Sequence, residues 1–220
     1  FETDSLRRDR REISNASNAI SELSLSIKYG SELSQDCVQQ HSIDFLPHQL
    51  RPLALFQDKA GREGMLIADE VGTGKTYSAG LILHDGLMDG RIRRVLVVCP
   101  KAIEEKWHST LRREFRINNC SKARSGKDLI NWLEGETNGT DVLVTSFDKG
   151  RGPSVKDEDS LVIDDIETML EESTIEQIDL VIFDEVHRVI GYDGKRIRRR
   201  LADVLSLSSL SRVGLTATPV

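Results

Sequence analysis

Cysteine is scarce in this chain, and what there is lies scattered. Cys37, Cys99 and Cys120 are the only three, and no Cys-x-x-Cys pair occurs. This usage excludes a disulfide framework and a thiolate zinc site, and it suits a reducing, cytoplasmic setting. Long apolar runs are also lacking. None approaches the ~20 residues that a membrane-spanning helix needs, so no membrane partner is expected. The start, Phe1-Glu2-Thr3-Asp4, is polar and soon Arg-rich, which is not the pattern of a secretory leader. Excess positive charge is missing too. The net charge is −6, so composition alone gives no support for nucleic-acid binding, and any such surface has to be local. No internal repeat is evident.

What remains is a soluble globular composition, 38% hydrophobic and 30% charged, over 220 residues. That length holds one domain with a full core, or a domain plus an arm. Residues 1–44 are rich in Ser, Asn and charge, with Ile20, Leu23, Leu25 and Ile27 scattered among them. They predict an N-terminal helical arm, in which the Arg7–Arg11 cluster is a solvated face. From residue 45 to 220 the chain alternates. Apolar strand-like runs occur at Met65–Ala68, Val95–Cys99, Val142–Thr145, Leu180–Phe183 and Val213–Thr216, separated by helix-like stretches. Strands alternating with helices predict an α/β fold, a parallel sheet with helices on both faces. In such sheets ligands bind beyond the carboxyl ends of the strands.

Two stretches carry chemistry. The first is Asp69-Glu70-Val71-Gly72-Thr73-Gly74-Lys75-Thr76, which reads as a phosphate-binding loop. Gly72 and Gly74 let the backbone curl around phosphate oxygens, Lys75 supplies charge, and Thr76 offers a hydroxyl to Mg²⁺. The apolar run before it predicts a strand. Ala79, Ile82, Leu83 and Leu87 after it predict a helix ending near Gly86 and Gly90. One position departs from the common loop pattern, since Asp69 stands where glycine is usual. The second stretch is Val181-Ile182-Phe183-Asp184-Glu185-Val186-His187, an apolar strand that delivers two adjacent carboxylates to its end. Beside a phosphate loop, Asp184 suits the Mg²⁺ shell and Glu185 suits the orientation of an attacking water.

With these residues in order, the chain resembles superfamily 2 helicase-like ATPases, and within them the Snf2-like group. Asp69–Thr76 is similar to motif I of that group, where Asp in the first position is usual. Leu46-Pro47-His48-Gln49-Leu50 resembles the Q motif. Val97-Val98-Cys99-Pro100-Lys101, followed by Trp107, resembles motif Ia, and Val142–Phe147 resembles motif Ib. Asp184-Glu185-Val186-His187 resembles motif II, and Leu215-Thr216-Ala217-Thr218-Pro219 resembles motif III. The region His48–Phe115 resembles the bacterial, RNA-polymerase-associated branch of the group.

The resemblance implies a RecA-like P-loop lobe and a set of roles. Gln49 would read adenine, and Asp69, Gly72, Thr73, Gly74, Lys75 and Thr76 would bind ATP. Thr76 and Asp184 would hold Mg²⁺, with Lys75, Asp184 and Glu185 catalytic. His187, Thr216 and Thr218 would couple nucleotide state to a nucleic-acid face, for which Lys101, Thr145 and Ser146 are nominated. Double-stranded DNA, bound through its backbone, and a second RecA-like lobe are the implied partners. Both ends of the chain read as cut points in a longer protein, with the second lobe beyond Val220. A protein partner for residues 1–44 or for the acidic stretch 157–179 is a further expectation. That stretch holds ten acidic residues and no Lys or Arg, so it belongs away from any phosphate groove. The basic run Lys195–Arg200 is expected to be solvated or to pair with it. Two other readings stay open: a non-catalytic nucleotide-sensing module, and a strand-separating helicase subunit of a restriction, repair or defence system.

Overall fold

The computed structural model describes residues 47–57, 63–136, 139, 141–152, 161–190 and 196–218. The arm expected at 1–44, Leu46 of the Q motif, Asp157 to Ser160, Lys195 and Pro219 lie outside the described residues.

Among the described residues six parallel strands form one sheet: β1 Met65–Ile67, β2 Val95–Cys99, β3 Cys120–Lys122, β4 Val142–Ser146, β5 Ile178–Phe183 and β6 Ser209–Leu215. Their spatial order is β1-β6-β5-β2-β4-β3. The strand-to-helix alternation therefore forms the α/β sheet that the sequence pattern implies. The helices are α1 Pro47–Gln57, α2 Lys75–Met88, α3 Glu104–Arg113, α4 Gly126–Leu133, α5 Val162–Glu171, α6 His187–Ile190 and α7 Arg196–Leu207. Short 3-10 turns, Lys101–Ile103 and Phe147–Arg151, follow β2 and β4.

The period-2 rule sorts each strand onto two faces. Val95, Val97 and Cys99 pack with Leu50, Leu53, Leu81, Ile82, Trp107 and Leu111, so α1, α2 and α3 cover one face. Leu96 and Val98 pack with Leu129, Leu133, Ile163, Ile166, Leu201 and Leu205, so α4, α5 and α7 cover the other. Every residue of β2 and β4 is buried, which is the continuous apolar signature of a doubly covered parallel strand.

Helix α2 is buried from Ser78 to Gly86 on all sides, because it lies between the sheet and α1. Gly86 is inside this helix and does not end it. A Cβ there would stand 2.3 Å from Ile92 Cδ1, so the glycine makes room for the returning chain. Gly90, with φ of 72°, follows the helix end. The acidic stretch supplies α5, and α7 packs on it. Arg200 reaches Asp164 at 2.6 Å and also pairs with Glu167, as the expected pairing of basic run and acidic segment requires.

Candidate functional site

Because all six strands run the same way, their carboxyl ends meet at one rim. β1 feeds the glycine loop, β5 delivers Asp184 and Glu185, and β6 delivers Thr216 between them. The β6 insertion is stitched on both sides. Thr216 N donates to Ile67 O at 3.0 Å, and Val186 N donates to Leu215 O at 2.9 Å.

The loop closes through backbone geometry that L side chains rarely adopt. Gly72 and Gly74 have φ of 87° and 89°. Gly74 caps α2, so the N–H groups of Lys75 and Thr76 have no intrahelical acceptor and lie at the positive end of the helix dipole. Such an N-terminus is a ready anion site. The Lys75 ammonium donates to Asp69 O at 2.8 Å and to Glu70 O at 2.7 Å, and the Thr73 hydroxyl donates to Glu70 O at 2.9 Å. The loop thus holds its own cation where its carbonyls converge.

A cleft of about 290 Å³ opens above this loop. Gly72, Gly74, Lys75, Thr76 and Tyr77 line it on one side, Ile103, Lys106 and Trp107 on another, and Asp184, Glu185 and Ala217 complete it. Asp184 is buried. Burial pushes its carboxyl above the ordinary range, while hydrogen bonds from Trp107 and the Glu185 amide pull the other way. Trp107 Nε1 donates to Asp184 Oδ2 at 2.8 Å, and Glu185 N donates to Oδ1 at 2.8 Å. Glu185 itself sits at φ of 54°, a left-handed conformation that costs a non-glycine residue roughly 1–2 kcal/mol and turns the chain sharply at the strand end.

His187 Nδ1 lies 3.0 Å from Thr216 Oγ1 and 3.3 Å from Glu185 Oε2. The Thr216 hydroxyl donates to Thr218 O at 3.1 Å, and the carboxylate only accepts, so the proton sits on Nδ1. Thr218 N returns a bond to Thr216 Oγ1 at 3.2 Å. The three residues nominated for coupling therefore form one network with Glu185.

Gln49 is buried against the loop rather than pointing at an open base site. Its amide donates to Thr73 O at 3.1 Å, and His48 Nε2 lies 2.8 Å from the same carbonyl. Tyr77 lies on this side as well. A hydrogen bond to Glu114 raises its phenol to about 12, so it stays protonated. Cys99 is buried, its thiol pushed up by that burial, which rules out a nucleophilic role.

The nucleic-acid nominees divide. Lys101 is exposed in the turn after β2. Thr145 and Ser146 are fully buried at the end of β4, so their hydroxyls do not face a ligand, a correction to the sequence reading. The pleat and the two covering helix layers enclose them. Exposed or half-buried cations stand nearby instead: Lys149 and Arg151 in the turn after β4, and Arg124 after β3. Trp107 and Lys106 are the residues that sequence reasoning missed at the cleft. Trp107 falls on the four-residue stripe Ile103, Trp107, Leu111, Phe115, which reads as core, and nothing in spacing alone marks its indole as facing Asp184.

Among the described residues no helix is long and apolar enough to cross a membrane, and no group of three or more His, Cys, Asp or Glu side chains forms a metal cage. The two groups nominated to hold a metal at the cleft, the Asp184 carboxylate and the Thr76 hydroxyl, both offer oxygen. This fits Mg²⁺, which typically takes one or two protein oxygens and completes its shell with water and substrate phosphates.

Residues 18–220 match the family described as the type III restriction enzyme, res subunit. The RNA polymerase-associated protein RapA of Proteus mirabilis is 31% identical over 180 residues, covering 79% of this chain and 17% of that protein. RapA of Yersinia pestis is 40% identical over 72 residues, 33% of this chain and 7% of that protein. The chain thus spans about a sixth, 17%, of the RapA relative it matches over 180 residues. Among solved structures, the SWI2/SNF2 ATPase core of Sulfolobus solfataricus in complex with dsDNA aligns with a TM-score of 0.56 at 18% identity, over 81% of this chain and 33% of that one. The Hef helicase domain of Pyrococcus furiosus aligns with a TM-score of 0.54 at 21% identity, over 84% and 34%. These likenesses show the fold, a RecA-like α/β lobe.

Proposed function

The chain belongs to the family of type III restriction enzyme res subunits, and on that premise we propose that it is the first, ATP-binding lobe of an Snf2-like motor that moves on duplex DNA. One observation carries the reading. Lys75, Thr76, Asp184 and Glu185 line a single cleft at the carboxyl ends of β1 and β5. Phosphoryl transfer needs these parts, together with charge stabilisation of the γ-phosphate.

In this reading the α2 N-terminus and the loop amides bind the phosphates of ATP, and the Lys75 ammonium leaves the Asp69 and Glu70 carbonyls for the outer phosphates. Thr76 and Asp184 would hold Mg²⁺, which would supply neutralisation of charge on the phosphates. Glu185 accepts the proton of the attacking water. Its contact with His187, and through it with Thr216, gives the hydrolysis state a route to β6 and the loop beyond. Gln49 and Tyr77 flank the loop on the side where the base would lie. Lys101, Arg124, Lys149 and Arg151 supply sequence-independent contacts to DNA phosphates, since backbone contacts position a protein without reading sequence. A second lobe supplies the charge that stabilises the γ-phosphate in transfer, an effect worth about 10³–10⁵ in rate. The motor works in the cytoplasm and displaces complexes from DNA. The RapA relatives' name suggests RNA polymerase as one such complex.

The test is ATP turnover by this chain and by a chain extended to include a second lobe, each with and without duplex DNA. The isolated chain is expected to bind ATP weakly and turn it over very slowly. The extended chain is expected to be stimulated by DNA and silenced by Glu185→Gln. Rapid DNA-stimulated turnover by the isolated chain, or none in the extended one, would reject the reading. A strand-separating motor is the second reading, favoured by the match to a restriction subunit and the likeness to a helicase domain. Release of a labelled strand by the extended enzyme distinguishes the two.

A further inference from the structure

Trp107 is buried to 1% exposure in the core that α3 makes with the sheet, yet its polar edge belongs to the cleft. An indole has a single polar atom, Nε1, and it can only donate. Here that donor meets Asp184 Oδ2 at 2.8 Å, from a residue 77 positions away in sequence. The other oxygen, Oδ1, is held at 2.8 Å by the amide of Glu185. A donor on each oxygen fixes the plane of the carboxylate and leaves its remaining lone pairs for a ligand. The amide contact is local and comes with the turn at the end of β5. The indole contact is long-range and exists only because α3 packs at this height over β2 and β5.

We propose that Trp107 is a positioning residue for the cleft's metal-holding carboxylate: its indole N–H locks Asp184 in the orientation that receives the nucleotide-bound divalent cation. The proposal rests on the reading of Asp184 given above. Partners that orient a metal ligand commonly change metal affinity by about 10–100-fold when removed. An apolar core tryptophan would have no such effect.

Trp107→Phe keeps the aromatic packing and deletes the donor. Binding of ADP to this chain is measured calorimetrically with and without Mn²⁺, and bound Mn²⁺ is counted by electron paramagnetic resonance. The expected result is a loss of about 10–100-fold in Mn²⁺-dependent affinity, with metal-free ADP binding unchanged. In an Asp184→Asn background, Trp107→Phe is expected to cause no further loss. Unchanged Mn²⁺-dependent binding, or equal loss with and without metal, would overturn the proposal and leave Trp107 a packing residue. A wild-type chain that binds ADP with no metal dependence would instead reject the reading of the site, and the proposal with it. A readout that leaves Trp107 intact covers poor folding of the variant. The chain has two tryptophans, so Trp132→Phe assigns the Trp107 indole N–H resonance. That resonance is expected to move on adding Mg²⁺ and ADP, and on Asp184→Ala. A signal indifferent to both overturns the proposal.

Discussion

The two loop glycines share a backbone conformation but differ in their surroundings. Gly72 has φ of 87° and nothing within 4 Å of an added Cβ. Gly74 has φ of 89°, and an added Cβ would stand 2.1 Å from Gln49 Nε2. Gly72→Ala therefore carries the left-handed strain alone, roughly 1–2 kcal/mol. Gly74→Ala carries the same strain and displaces the Gln49 amide from Thr73 O, a further cost of about 1 kcal/mol for a lost hydrogen bond. Urea unfolding of the two variants is expected to rank them in that order, with Gly74→Ala also losing nucleotide binding. Equal midpoints would show that the Gln49 contact adds nothing to stability. Both glycines are legible in the sequence, because a phosphate loop calls for that pair just before Lys75-Thr76. The position of Gln49 is not. A short motif names the amide but not which of two nearby acceptors, a base edge or a loop carbonyl, it meets.

Helices α5 and α7 hold each other through charge. Arg200 draws the Asp164 carboxyl below its ordinary range, first through its hydrogen bond, with help from the Leu161 amide. A carboxyl whose folded value is depressed adds stability above its unfolded value and loses it as pH falls through the folded one. The chain is therefore expected to lose this contribution between about pH 4 and the more acidic, folded value. Arg200→Gln should flatten that acid limb in thermal melts by lowering stability above about pH 4, while changing little at pH below the folded value. The effect is modest, because Asp164 remains 45% exposed. An unchanged acid limb would mean that the pair is screened out. This pairing was legible as opposite charge in two stretches separated by β5. Two other elements were not read. β3, Cys120–Lys122, is a three-residue edge strand with two polar members, too short for alternation to register. α4 did leave a mark, since Ser125 and Asp128 form a capping box, with Ser125 Oγ accepting from Asp128 N at 3.3 Å and Asp128 Oδ2 accepting from Ser125 N at 3.2 Å.

At the scale of the whole molecule, the parallel sheet places the glycine-loop cleft and the cationic turns on one rim, at opposite ends of the order β1-β6-β5-β2-β4-β3. The glycine loop follows β1, and the turns after β2, β4 and β3 present Lys101, Lys149, Arg151 and Arg124. Strand motifs made the rim legible, but motif resemblance could not separate exposed from enclosed hydroxyls. Burial depends on how far α3 and the turn Phe147–Arg151 fold over the end of β4. The distinction gives the DNA proposal a sharp test in a chain carrying both lobes. Removing a phosphate contact reduces the slope of log affinity against log salt by about 1. Lys149→Ala and Arg151→Ala are each expected to reduce it by about that amount, with ADP binding unchanged. Thr145→Val should leave the slope alone. It replaces a fully buried hydroxyl that has no hydrogen-bond partner by a methyl of similar shape, so stability should hold or rise. A salt slope that falls with Thr145→Val and not with Lys149→Ala would mean that the rim opens on DNA and that phosphates reach the strand end itself.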